Sequence, residues 1–452
     1  MIFVLLAGTA ITIWVRTVHN SKSPWVAAGS YVQDVSRASG VQTEVAVAVD
    51  PSNTRNVFAA ANESLEPEIR VLTSTNGGSR WSSRSAPLFN PNTCAWGDPA
   101  VAVGPDGRQY VAFTEKAICA PGPDLTPYLV VASRSGPKGS WLVRRVTHPA
   151  TQFGFDDKPA IAAAADGRVY VAWSRLLKSR YQSTVVSSSA DGGKTWSAPL
   201  QVDPSLQQPQ LVTIATGGKD EVYIAGVDVR RGIWVGRSRD AGHHFVIRQA
   251  APLPGSQAAT CIVFGKFLLP QQAVRCLGPD PTVVVGESRV YVTFGTVGLN
   301  QTQDIGIAVF DRSLRSRIWL GPVGRLPEPK KADQFWPSAA VDPVTGDLWS
   351  CYYDTSGDSK REQAWFSCTV SRDGRHWATP VRAARASANV QVLWEDARIY
   401  GYGDSGGYGG YTGVAAAGGA AYPLWIDTRN VGARGEEVFG ARLQAKAFRR
   451  YP

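Results

Sequence analysis

Acidic residues placed just ahead of short alternating β-segments are the strongest chemical signal in this chain. Glu44, Asp98, Asp157, Asp280 and Asp333 all stand there. A second set closes the following segments: Glu115, Arg175, Asp228, Arg230, Asp354, Asp427 and Arg429. Carboxylates brought together this way can do acid/base work, and arginines among them can grip an anionic ligand. The same residues can also cap strands and pair with one another without any chemistry. A third group lies in the glycine-rich stretch from Trp394 to Tyr411, where Tyr400, Tyr402, Tyr408 and Tyr411 follow Glu395. That stretch contains Gly403-Asp-Ser-Gly-Gly407, but a hydrolase elbow requires a later histidine and the last one is His376. No Cys/His spacing suits a metal, so no metal and no cofactor are expected. Calcium on the acidic residues is conceivable through oxygen ligands, although no dedicated loop motif is present.

The elements that position these residues are repeated. Asp98 to Phe113 reads as two alternating strands around a Pro-Asp-Gly turn, and Asp157 to Trp173 repeats it. Weaker copies start near Glu44, Pro209, Asp280, Pro337 and Thr412. Aligned on Val57, Tyr110, Tyr170, Tyr223, Tyr291, Trp349 and Tyr422, the copies recur every 53 to 73 residues, room for four strands each. A second signature recurs between the hairpins: Ser74-Thr-Asn-Gly-Gly-Ser-Arg-Trp81, Ser189-Ala-Asp-Gly-Gly-Lys-Thr-Trp196, Ser238-Arg-Asp-Ala-Gly-His-His-Phe245 and the shorter Ser371-Arg-Asp-Gly-Arg-His-Trp377. In each, the side chain of Asn76, Asp191, Asp240 or Asp373 can bond amides of its own turn, and glycine supplies a positive φ.

These units predict an all-β fold, a seven-bladed β-propeller with four antiparallel strands per blade, six blades being the alternative. The last blade has one strand too few, and Ser30 to Ser36 is a spare strand-like segment. Closure by that N-terminal strand would leave no exposed edge. Strand parity puts the hairpin turns and the Ser-x-Asp turns on one face. The acidic residues, the arginines and the long loops 247–279 and 378–411 fall on the other, where a binding site is expected.

The Ser-x-Asp-x-Gly-x-x-aromatic turn resembles the Asp-box (BNR repeat) of sialidase-like β-propellers, and the resemblance covers roughly residues 30 to 443. It implies three arginines on a substrate carboxylate, a tyrosine nucleophile activated by a glutamate, and an aspartate as acid/base. By face, Arg175, Arg230 and Arg429 would be the arginines, Tyr402 with Glu395 the nucleophile pair, and Asp98 the acid/base. The Arg-Ile-Pro motif of true sialidases is replaced by Gln42-Thr-Glu-Val-Ala-Val-Ala.

Residues 1–22 read as a signal peptide or membrane anchor, since an apolar run precedes Arg16 that is short for a membrane span. Residues 30–443 form the propeller and 444–452 a tail. The six cysteines fall into local couples, Cys94 with Cys119, Cys261 with Cys276 and Cys351 with Cys368, and an exported chain favours disulfides. The formal net charge of +10 favours anionic partners, but scattered Lys and Arg argue against nucleic acid. Two functions follow from this reading. One is an exported glycoside hydrolase of the sialidase-like class, the other a non-catalytic propeller that binds glycans or proteins. In either case the protein is expected as a monomer, outside the cell or in its envelope, touching membrane only through its N-terminal segment.

Overall fold

The computed structural model describes residues 32–38, 40–63, 67–116, 119, 127–147, 154–177, 180–253, 277–298, 302–324, 331–384, 408–429 and 436–448. They form seven antiparallel sheets arranged as the blades of a propeller. The innermost strand of each blade, strand A, lines the axis. These strands are Gln42–Val49, Cys94–Val103, Gly154–Ala163, Gln210–Thr216, Thr282–Val285, Gln334–Val341 and Gly413–Ala417. Strands B, C and D follow outward in chain order within blades 1 to 6. Blade 7 departs from this order. Its outer strand is Val32–Asp34, paired antiparallel with Glu437–Ala441 (Val32 opposite Ala441), so the two ends of the chain close the ring as expected. Beyond it, Leu443–Gln444 adds to the B strand, and Phe448 packs edge-on against Trp349 at 5.1 Å. The packed unit therefore reaches Phe448.

Strand B is buried along its full length in most blades, as in Val57–Glu63, Gln109–Lys116 and Ala420–Asp427, because both faces of each sheet are covered by neighbouring blades. Apolar clusters fill every gap between successive blades, including the closing gap between blades 7 and 1.

The recurrent Ser-x-Asp turns join strands C and D and lock one blade to the previous one. In blade 3, Asp191 accepts from the amides of Lys194 and Thr195 at 3.0 Å each, and Ser189 Oγ accepts from Gly193 N at 2.9 Å. Asn76, Asp240 and Asp373 accept equivalent bonds from Arg80, His244 and His376. Gly193, at φ +85°, lies against Tyr110 of blade 2, and Gly374, at φ +75°, lies against Tyr291 of blade 5. A Cβ on Gly374 would fall 3.0 Å from that ring and 2.9 Å from Val309. Glycine is needed here for two reasons: the left-handed backbone and the close approach of the next blade.

Two disulfides are present among the described residues. Cys351 and Cys368 face each other on strands B and C of blade 6, with Cα atoms 4.1 Å apart. Cys94–Cys119 ties the start of strand A to the loop after strand B in blade 2. Cys261 and Cys276 lie outside the described residues. Among the described residues, no helix is long and apolar enough to cross a membrane.

Candidate functional site

In five of the seven blades strand A enters the channel through a bulge at one fixed position. The pairing register slips between Thr43 and Ala46, Gly97 and Ala100, Asp157 and Ala160, Gln210 and Thr213, and Phe335 and Ser338. The first bulged residue has positive φ although it is not glycine, as at Glu44, Asp98, Lys158, Leu211 and Trp336, and Asp280, just ahead of the unbulged strand of blade 5, has positive φ too. Such backbone costs about 1–3 kcal/mol per residue, so the surrounding pairing must impose it. Because apolar Leu211 and Trp336 share it, the conformation belongs to the architecture. The chemistry lies in which side chains it presents.

Four blades present charge. Asp98 and Glu44 are hydrogen-bonded, carboxyl to carboxyl. Asn62 Nδ2 donates to Glu44 Oε2 at 2.7 Å. Lys158 Nζ reaches from blade 3 to Asp280 Oδ1 of blade 5 at 3.4 Å, and lies 4.6 Å from the centre of the Tyr411 ring. Tyr411 Oη in turn donates to Pro99 O at 3.4 Å, so one side chain from blade 7 meets blade 2. Lys158 and Tyr411 thus span the mouth. Below them lies a cavity of about 500 Å³ walled by strand A residues such as Val47, Ala100, Ile161, Thr213, Val283 and Ala339.

The electrostatics follow from this enclosure. Burial pushes the Asp98 carboxyl well above the usual carboxylate range, and Glu44 and Asp157 add repulsion that Lys158 only partly offsets. Burial acts to lower the Lys158 ammonium, yet attraction from Asp280, Glu44, Asp98 and Asp157 raises it overall. The result is an Asp98 carboxyl that keeps its proton to higher pH than an ordinary aspartate, beside an ammonium held in its charged form.

Of the residues expected at the mouth, Glu44, Asp98, Asp157 and Asp280 come together there. Asp333 does not. It is fully buried in the wall, where it accepts from Gln303 N at 2.9 Å and from Nε and Nη2 of Arg361 at 2.6 and 2.8 Å. The acids ending strand B are loop anchors. Glu115 accepts from Phe89 N, Asp354 from Ser356 N, and Asp427 from Arg429 N and Trp425 Nε1. Asp228 accepts from Gln207, Arg230 and Arg231 amides.

Nor do the arginines gather at the mouth. Arg175 pairs with Asp156 at 2.8 Å, Arg429 pairs with Asp427 at 2.6 Å and lies over Phe439, and Arg230 is exposed. Tyr402 and Glu395 lie outside the described residues, as does the Gly403–Gly407 motif. Tyr408 is fully buried among Phe335, Trp336 and Tyr353.

Lys158 was the residue that sequence reasoning passed over. Its signal was present, since aligning the hairpins puts it, and not Asp157, level with Glu44 and Asp98. Among the described residues no group of three or more His, Cys, Asp and Glu side chains could hold a metal ion.

No family model matches this sequence, and no curated protein matches it. Solved structures do. A protein of unknown function from Dyadobacter fermentans is similar at a TM-score of 0.49 and 13% identity, over 91% of this chain and 99% of that one. A Hadza microbial sialidase is similar at a TM-score of 0.46 and 13% identity, over 87% and 74%. The sialidase of Trypanosoma rangeli in complex with the inhibitor DANA is similar at a TM-score of 0.43 and 13% identity, over 74% of this chain and 58% of that one. This chain therefore spans 58% of the length of that sialidase. Likeness of this degree concerns the arrangement of blades alone.

Proposed function

We propose that the channel mouth is a carbohydrate site and that the protein is a glycoside hydrolase acting outside the cytoplasm. The observation that carries this reading is Asp98, a carboxyl hydrogen-bonded to Glu44 next to the cavity-lining Pro99, whose affinity for its proton is raised by burial and by two neighbouring acids. A carboxylic acid kept neutral in this way is what protonation of a glycosidic oxygen requires. Glu44 is too close to be its opposite number, because a hydrogen-bonded pair is nearer than the roughly 5 Å that separates the two carboxyls of even a retaining enzyme. Glu44 instead helps Asp98 keep its proton. The second carboxyl in this reading is Asp280, three blades away across the mouth and paired to Lys158.

The charge of the mouth bears on the substrate. Four carboxyl groups face one lysine, and Arg175 and Arg429 are tied to Asp156 and Asp427. This supports a neutral glycan over an anionic one, unlike the sialoside that the resemblance implies. The two disulfides fit an oxidising compartment, which supports export.

The test is hydrolysis of a panel of fluorogenic glycosides, neutral and sialylated, by the wild type and Asp98→Asn. Turnover of a neutral glycoside that falls about 10²–10⁴-fold in the variant is expected. Turnover of a sialoside untouched by Asp98→Asn would overturn the assignment. A second reading is a glycan-binding propeller without catalysis, favoured by Lys158 and Tyr411 crossing the mouth. Binding of glycans with no turnover of any glycoside would select it.

A further inference from the structure

Two aromatic side chains on the rim of blade 2 face solvent although burial would favour them. Trp96 is 40% exposed and Phe89 is 43% exposed, and the other exposed large hydrophobic side chains among the described residues are aliphatic. Each ring is backed by a cation. Lys116 Nζ lies 4.7 Å from the Trp96 centroid, and the Arg145 guanidinium lies 5.1 Å from Phe89 and 3.9 Å from Tyr128.

Their positions form a line. Trp96 is the unpaired residue where the register slips between Ala95 and Gly97. It sits two residues ahead of Asp98, roughly 7 Å along the strand. Lys116, beneath it, ends strand B. Phe89 lies farther out, against Arg145 of the outermost strand, Leu142–Arg145. The rings therefore run radially from the mouth to the edge of the blade.

The segment carrying them is stiff. Glu115 is fully buried and its carboxylate accepts from Phe89 N at 2.7 Å, Thr93 Oγ1 at 2.9 Å and Tyr128 Oη at 3.0 Å. The Cys94–Cys119 disulfide fixes the start of the strand. A rigid aromatic face offered to water, with its other side held by a cation, suits the C–H face of a sugar ring, since the negative π surface meets weakly positive C–H groups.

We propose that Trp96 and Phe89 form a stacking track for successive sugar rings of an unbranched, neutral glycan whose end lies at the Asp98 mouth. The inference rests on the carbohydrate reading of that mouth and extends it, because it makes the ligand an oligosaccharide and places its outer units over blade 2.

The experiment is calorimetric titration of the wild type, Trp96→Ala, Trp96→Phe and Phe89→Ala with three oligosaccharide ladders of one to six units: β-1,4-glucan, α-1,4-glucan and β-1,4-linked N-acetylglucosamine. One ladder is expected to bind the wild type more tightly as units are added. Trp96→Ala should lose about tenfold in affinity for the longer members while leaving the single sugar unchanged, and Trp96→Phe should recover most of the loss. Circular dichroism melts confirm that the variants fold. Affinity independent of chain length, equal affinity of Trp96→Ala and wild type, or no binding of any ladder would each overturn the track. Length-dependent binding without hydrolysis would leave the track standing and remove the hydrolase. Hydrolysis unaffected by Trp96→Ala at every length would do the reverse.

Discussion

At the scale of single residues, Asp98 joins stability to activity. Its carboxyl is raised by burial and by Glu44 and Asp157, so the folded protein binds that proton more tightly than the unfolded chain. Its contribution is fully present below the ordinary aspartate value, near pH 4, and is lost as pH rises through the raised folded value. Asp98→Asn removes this loss. The variant should match the wild type in thermal melts near pH 4 and melt at an equal or higher temperature near pH 8, while losing activity. A lower melting temperature at pH 8 than at pH 4, relative to wild type, would show that the charged form is the stable one. Activity itself should fall with rising pH as Asp98 gives up its proton. Glu44 and Asp98 were visible in the sequence as acids ahead of strands. That their carboxyls meet was not, because they lie 54 positions apart and only the packing of blade 1 against blade 2 sets them side by side.

At the scale of the element, the Ser-x-Asp turns explain why their sequence pattern is so much clearer than that of the site. Each turn satisfies itself through bonds spanning at most a few residues, as Asp191 does with Lys194 and Thr195. Local bonding of this kind leaves a local signature. Burial works to raise the Asp373 carboxyl, but the amides of His376 and Arg375 and the His376 ring hold it down at about 2. Its contribution is therefore present above the ordinary aspartate value and lost as pH falls from about 4 towards 2. Asp373→Ala should flatten that part of the acid-unfolding curve, and an unchanged curve would assign the acid sensitivity elsewhere. Gly374→Ala probes the contact between blades. With φ at +75° and a Cβ meeting Tyr291 and Val309, the loss should be about 2–4 kcal/mol in a denaturant titration. A loss under about 1 kcal/mol would mean that the blades yield at this seam. The acids at the ends of strand B show the opposite case. Asp354 and Asp427 look like site residues by position, yet their bonds go to the amides of Ser356 and Arg429 in the loops they begin.

At the scale of the whole molecule, closure of the ring by Val32–Asp34 is the structural commitment with the largest consequence. Three short pairings, Val32 with Ala441, Gln33 with Gly440 and Asp34 with Phe439, keep the edge of Glu437–Ala441 from solvent. A chain lacking residues up to Asp34 should lose amide protection along Glu437–Ala441 and aggregate on warming. Unchanged protection there would show that blade 7 is stable without its borrowed strand. The sequence alone pointed to seven blades ahead of six, to their strand order, to this closure and to the two cysteine pairings that fall within the described residues, because each is written in repeated patterns or near neighbours. Tertiary structure alone decided which charges meet. The bulge that opens strand A in blades 1 to 4 and 6 sets which side chains reach the mouth, so Lys158 joins Asp157 there, while Asp333 turns into the wall towards Arg361. A one-residue shift of that kind reverses the direction of a side chain on a strand, and long-range pairing sets it where local sequence does not.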